Sequence, residues 1–193
     1  MSSDLIQRQD IVKEQFGWEV PIEVVPLPSK GLVYPVGSPL HNRQTLEIKS
    51  MTANEEDILM SPALIKQGKV LDSLLSACLV DKNIDPNELL SGDRNAIMIA
   101  IRITGYGSDY RVKTTCPNCG ARRPHTFDLA NLSIKRLLLR PVNEEGNVFE
   151  FELPVTKKVV HFKFLSGKEE AERNLLAERM KKVTGESGVN REV

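Results

Sequence analysis

A stretch rich in proline and glycine, VPIEVVPLPSKGLVYPVGSP at residues 20–39, restricts what the early part of this chain can form. Each proline removes a backbone donor and biases the preceding residue toward extended geometry, which disfavours a helix. The stretch still contains more apolar residues than a solvated linker would: Val24, Val25, Leu27, Leu32, Val33 and Tyr34. We therefore predict an ordered, extended arm that lies either on a binding partner or on the helical part of this chain.

The apolar pattern divides the following sequence into a helical part and a β-rich part. Residues 44–50 alternate as a half-buried strand does, and Thr52 and Glu55 form a capping box that opens a helix. Helical spacing predominates over residues 52–104, whereas residues 109–165 contain two pairs of strand-like runs. The sequence therefore predicts an α+β fold, with a helical half followed by β-hairpins.

The length of 193 residues fits one domain, or a small domain with an appendage. We divide the chain into three segments. Residues 1–43 hold a short N-terminal helix and the extended arm, and residues 44–166 hold an α+β core that includes a hairpin with two cysteines. Residues 167–193 hold a charged helix and a polar tail that we expect to be frayed.

The most apolar run of the helical part is IMIAI at residues 97–101, and it predicts an element at the centre of the core. Asp93 can cap a helix over residues 94–104 that Gly105 closes. Periodicity alone leaves a buried strand open for this run. Cys78 falls on the apolar face of a preceding helix, where a buried free cysteine is the common outcome.

Cys116 and Cys119 form the most specific local motif, CPNCG, in the turn between two strand-like runs. A C-x-x-C turn presents two thiolates to one zinc ion at tetrahedral separation. The hairpin therefore resembles one knuckle of a zinc ribbon and predicts half of a zinc site. His125 is the candidate third metal ligand, and Cys78 or His161 the candidate fourth. The alternatives are a tight turn with reduced thiols and a redox motif, although a redox C-x-x-C normally begins a helix.

Composition and charge argue against several classes of function. The 26 Lys+Arg balance the 26 Asp+Glu, whereas a nucleic-acid binder needs a surplus of cations. No run approaches the roughly 20 apolar residues that cross a bilayer. The polar N-terminus resembles no secretion signal, and three cysteines do not make a disulfide framework. No residues form a pattern typical of nucleophilic catalysis, so we predict a non-enzymatic protein without nucleic-acid binding or membrane insertion.

Four segments together resemble a known family: residues 25–35 (VPLPSKGLVYP), 48–81, 89–120 and 162–170 (FKFLSGKEE). They are similar to the baseplate hub family of contractile-tailed bacteriophages of the T-even type, most specifically in GDRNAIMIAIRITGYG. The resemblance implies a structural or assembly protein of the baseplate hub region. Its implied partners are other tail and hub proteins and the tape measure protein. Its implied locations are the host cytoplasm during assembly and the baseplate of the virion tail.

The resemblance leaves two alternatives open. One is an assembly chaperone for the hub and tape measure that is absent from the mature virion. The other is a zinc-ribbon-type adaptor, which accounts for the cysteine hairpin but gives the helical half no role. Longer relatives continue into a further helical region with a second C-x-x-C. We therefore expect this chain to be either a short form or the N-terminal part of a longer protein, in which Cys116 and Cys119 form half of a zinc site.

Overall fold

The computed structural model describes residues 20–142 and 146–184, so the expected N-terminal helix and polar tail lie outside the described residues. In chain order the described elements are β1 (Ile22–Pro26), β2 (Thr45–Lys49), α1 (Ala53–Met60), α2 (Pro62–Gln67), α3 (Val70–Cys78), α4 (Ser91–Tyr106), β3 (Asp109–Thr115), β4 (Arg122–Asp128), a 3₁₀ turn (Leu129–Asn131), β5 (Phe149–Glu152), β6 (Val159–Phe162) and α5 (Gly167–Thr184). These strands form three separate antiparallel pairs, β1–β2, β3–β4 and β5–β6.

The α+β class is confirmed, but a helical half that comes first is not. The β1–β2 ribbon precedes the first helix, with Val25 opposite Leu46. Proline is tolerated here because each strand of a two-stranded ribbon has one edge that needs no ladder hydrogen bonds. The chain then turns at Gly31, whose φ of 73° and close approach to the backbone of Arg43 exclude any side chain. The extended arm is therefore a strand followed by turns.

Buried hydrophobic side chains from the β1–β2 ribbon, the turns within it, helices α3 and α4, the connection between them and the start of β5 form an apolar core. Its members are Val25, Leu27, Val33, Tyr34, Leu40, Leu46, Ile48, Leu74, Leu75, Cys78, Leu79, Ile84, Leu89, Leu90, Ile97, Ile101 and Phe149. Residues 20–40 supply the first five, so this segment packs on its own chain. The alternative, in which the arm lies on its own chain, holds for these buried side chains, whereas Val24 and Val36 of the arm are exposed.

Helix α4 confirms the helix predicted over residues 94–104 and buries Ile97 and Ile101. The predicted cap is wrong: Leu90 is the N-cap, and Asp93 lies inside the first turn with a buried side chain. The carboxylate of Asp93 instead accepts hydrogen bonds from the turn after β1, which satisfies donors that would otherwise be buried without partners. The helix also passes Gly105 and ends at Tyr106, before Gly107.

The other local helix signals are confirmed. The carboxylate of Glu55 accepts the backbone N–H of Thr52 at 2.9 Å, as the capping box requires. Helix α1 ends before Pro62, and α2 ends at Gly68, whose φ of 68° is left-handed. Helix α3 then places the fully buried Cys78 in the core, as its apolar face predicts.

Candidate functional site

The part of the chain after Ile101 contributes one described residue, Phe149, to the buried core. Most of its large apolar side chains are instead exposed: Tyr106, Tyr110, Phe127, Leu132, Ile134, Leu138, Leu139, Val142, Phe151, Val155, Val159, Phe162, Phe164, Leu175, Leu176 and Met180. Exposed large apolar side chains are candidates for contacts with other proteins where they adjoin one another. The candidate site is therefore an interaction surface in residues 106–180.

The β3–β4 hairpin projects from the end of α4 with both faces open. All residues of β4 are exposed, and in β3 only Val112 is half-buried. The guanidinium of Arg102 lies 4.9 Å from the ring centroid of Tyr106 and 6.0 Å from that of Tyr110, which holds the base of the hairpin against α4. A two-stranded hairpin is only marginally stable alone, so this one is suited to stabilisation by a neighbour or by a metal ion.

The cysteine turn at the tip of this hairpin is closed by a backbone hydrogen bond. The N–H of Gly120 donates to the carbonyl of Cys116 at 2.9 Å, and Gly120 adopts a left-handed φ of 69°. The backbone N–H of Cys119, and then that of Asn118, donates to the sulfur of Cys116 and lowers the pKa of that thiol. Both cysteines are free thiols. Such N–H···S bonds favour the thiolate, which is the form that binds a metal.

The other candidate ligands lie elsewhere. His125 lies on β4 opposite Val112. It is three residues beyond Arg122, where β4 begins, which at 3.3 Å per residue places it about 10 Å along the strand. Cys78 is buried in the core, where desolvation raises its pKa to about 11. His161 lies on β6 beside Glu150, with 3.6 Å between Nε2 and Oε2. Within residues 20–142 and 146–184, no three His, Cys, Asp or Glu side chains are grouped to hold a metal ion.

Residues 132–140, here named the basic strap, form a feature that the sequence analysis did not identify. The strap runs without helix, turn or bend, and the N–H of Leu137 ties it to the carbonyl of Pro28 at 2.9 Å. The side chain of Leu137 packs against the core, whereas that of Leu138 is 87% exposed. The available signal was the run LSIKRLLLR, which mixes three cations with leucines and lacks both the helical and the strand period.

A cavity of about 330 Å³ lies beside the strap, between Pro28–Ser29, the start of α4, residues 135–137 and Phe164–Leu165. Its lining is mainly apolar. The segments around it are joined by backbone hydrogen bonds, including one from the N–H of Ser91 to the carbonyl of Leu165 at 3.0 Å. The cavity is therefore a formed feature of the surface with a cationic edge.

The one acidic side chain that lines this cavity belongs to a closed polar cluster of Asp93, Ser29 and Tyr34. The carboxylate of Asp93 is 1% exposed. It accepts the N–H of Ser29 at 2.9 Å, the hydroxyl of Ser29 at 2.5 Å and the hydroxyl of Tyr34 at 2.7 Å. The oxygen of Tyr34 also accepts the N–H of Leu90 at 3.0 Å. Burial, and then the charge of Asp93, raise the pKa of Tyr34 far above its usual value. The cluster joins the turn after β1 to the start of α4.

Comparison with known protein families gives a match that covers most of this chain. A family model described as T4 bacteriophage base plate protein matches residues 24–191, which is most of the chain. Searches among curated proteins and among solved structures returned no match. None of the described helices is long and apolar enough to span a membrane.

Proposed function

The chain belongs to the T4 bacteriophage base plate protein family, and from this membership we propose that it is a non-enzymatic structural or assembly protein of the hub region of a contractile tail. The single observation that carries the proposal is the unequal burial of its two halves. Residues 25–101 supply every described core residue except Phe149, whereas residues 106–180 leave their large apolar side chains mostly exposed. A chain with this distribution acts through contacts with other proteins.

The polar chemistry of the chain supports the absence of catalysis. The carboxylate of Asp93 is buried and accepts hydrogen bonds from Ser29 and Tyr34, which suits a positioning role. The partners that we propose are other tail and hub proteins and the tape measure protein, first in the host cytoplasm and then in the virion baseplate. The alternative is a chaperone that binds the same partners and leaves before the virion is complete.

Mass spectrometry of purified virions separates these two roles. A resident hub protein is recovered from virions together with the other baseplate proteins, whereas a chaperone is found only with hub or tape measure proteins from infected cells before the tail is complete. Recovery from neither source would contradict the proposal.

The docking role of the C-terminal half can be tested with matched variants. Leu138→Ser with Phe151→Ser removes two exposed apolar side chains from this half, and Val36→Ser with Met60→Ser removes two from the other. We expect the first pair, but not the second, to lose co-purification with identified tail proteins, while both keep the wild-type free energy of unfolding. Equal loss from both pairs, or no loss from either, would refute the assignment.

We also propose that Cys116 and Cys119 supply two of the four ligands of a zinc site, which favours an adaptor role for the β3–β4 hairpin. The N–H···S bonds of the turn support this, because they stabilise a thiolate. The remaining ligands would come from a partner, from a second copy or from rearrangement of His125. Zinc analysis of protein purified without chelator, alone and bound to its partners, tests the idea. Absence of stoichiometric zinc in both samples, with both thiols titratable, would leave a turn motif only.

A further inference from the structure

We propose that the basic strap and the cavity beside it bind an extended segment of a partner protein that alternates acidic and aliphatic residues, by addition of a strand. The inference rests on the proposed function, since it gives the chemistry of one partner segment in a protein that works by docking. Three independent features of the strap support it: its backbone, its apolar side chains with the cavity, and its charge.

The backbone of the strap is open to a further strand. From Ser133 to Arg140, the N–H of Leu137 makes the only backbone hydrogen bond found in the described part of the chain, and no carbonyl of this run accepts one there. An extended run with free donors and acceptors is the template to which another chain adds as a strand. The bond from Leu137 to Pro28 holds the strap in place, so a partner would meet a positioned edge.

The apolar groups of the strap fit alternate side chains of such a partner. Ile134 and Leu139 are about half exposed, and Leu138 is more so. Next to them the cavity offers about 330 Å³ with a mainly apolar lining. An apolar cavity of about 150 Å³ already admits benzene, so this one can admit an aliphatic or aromatic side chain of a partner.

The positive charge of the strap indicates which side chains lie between the aliphatic residues of the partner segment. Lys135, Arg136 and Arg140 make no ion pair within the described residues, and the sequence has no acidic residue between Leu129 and Val142. Lys135 and Arg136 line the cavity. A partner segment that carries carboxylates between its aliphatic residues would therefore be complementary in charge.

Synthetic peptides test this in the full-length chain. The probe is a short fluorescein-labelled peptide that alternates glutamate and valine, and its binding is measured by fluorescence anisotropy. The controls are a peptide that alternates lysine and valine, and two versions of the acidic peptide with N-methyl groups on alternate residues, in one register or the other. Methylation of the register that faces the strap blocks strand addition without changing any side chain. We expect the acidic peptide to bind, and only one of its two methylated versions to lose binding. Binding should also become weaker at high salt.

Charge reversal in the protein supplies the second arm. We expect the double variant Lys135→Glu with Arg136→Glu to bind the acidic peptide about tenfold more weakly, or weaker still. The matched control Lys158→Glu reverses an exposed cation in the loop between β5 and β6 and should change binding by less than about twofold. Unfolding curves of the variants confirm that each is folded.

The inference is overturned by equal binding of the acidic peptide to the charge-reversed and wild-type chains, by equal binding of both methylated peptides, or by binding of the lysine peptide. Binding to phosphatidylglycerol vesicles without binding to the acidic peptide would overturn it in favour of a lipid surface. If the acidic peptide does not bind while the chain is present in virions, this inference alone is refuted. If the chain is recovered neither from virions nor with hub or tape measure proteins, the proposed function fails whatever the peptide does.

Discussion

Replacement of Asp93 by alanine is the sharpest test of how this fold is held together. The carboxylate is 1% exposed and accepts three hydrogen bonds from Ser29 and Tyr34. Asp93→Ala leaves the buried N–H of Ser29 and the hydroxyl of Tyr34 without their acceptor. A buried donor without a partner costs about 1–3 kcal/mol, so we expect a loss of about 4 kcal/mol from the free energy of unfolding. This is a large part of the 5–15 kcal/mol that is typical of a domain.

Tyr34→Phe tests whether the cluster acts as a unit. The substitution removes the hydroxyl that donates to Asp93. The same hydroxyl oxygen accepts the N–H of Leu90 at 3.0 Å, so this N–H loses its acceptor. We expect a loss of about 2 kcal/mol. Because both residues belong to one hydrogen-bond network, the double variant should lose less than the sum of the two single losses.

The assay is equilibrium unfolding in urea, followed by circular dichroism. Asp57→Ala is the matched control, because Asp57 is an exposed carboxylate on α1, and it should change the free energy by less than about 0.5 kcal/mol. A loss below about 1 kcal/mol for Asp93→Ala, or strict additivity with Tyr34→Phe, would refute the reasoning.

Three further predictions concern the core and the thiols. Ile101→Asp places an ionised carboxylate in the core, so it should cost several kcal/mol; an unchanged melting temperature would contradict the packing of α4. A thiol reagent at neutral pH should modify Cys116, whose pKa is lowered, and the exposed Cys119, but reach Cys78 only after denaturation; modification of all three in the folded chain would be contrary. Burial raises the pKa of Cys78 and of Tyr34, so the folded state holds protons that the unfolded chain releases. The contribution of Cys78 should therefore be intact below about pH 8.5 and be lost as the pH rises toward 11, and that of Tyr34 should be lost only above about pH 10, each by up to about 1.4 kcal/mol per pH unit, as urea unfolding at several pH values would reveal.

The elements that the sequence predicted well are those with local signals. The capping box of Thr52 and Glu55, the helix end at Gly68 and the alternation on both sides of the cysteine turn involve residues a few positions apart. Such signals act through the backbone of one element, so they can be recognised without knowledge of the rest of the fold.

Asp93 shows why the local rule failed at the most buried acidic residue. By local rules an aspartate just before an apolar helical run is a good N-cap. Its actual partners, Ser29 and Tyr34, lie 64 and 59 residues away in sequence, in a segment that had been predicted only as extended. Once that segment packs on α4, the buried donors of Ser29 and Tyr34 need an acceptor, and Asp93 satisfies them from inside the first turn.

The C-terminal half exposes a different limit of sequence patterns. Alternation in β5 and the apolar edge of α5 predict that each element has a face to be covered, and the structure forms both elements. Yet Phe151 on β5 and Leu175 and Leu176 on α5 remain about half exposed. A pattern of apolar residues specifies that a face is unfavourable in water, but it carries no information about which molecule covers it. A partner would remove these side chains from water at about 25 cal/mol per Å², so assembly should stabilise this half in a way that depends on partner concentration.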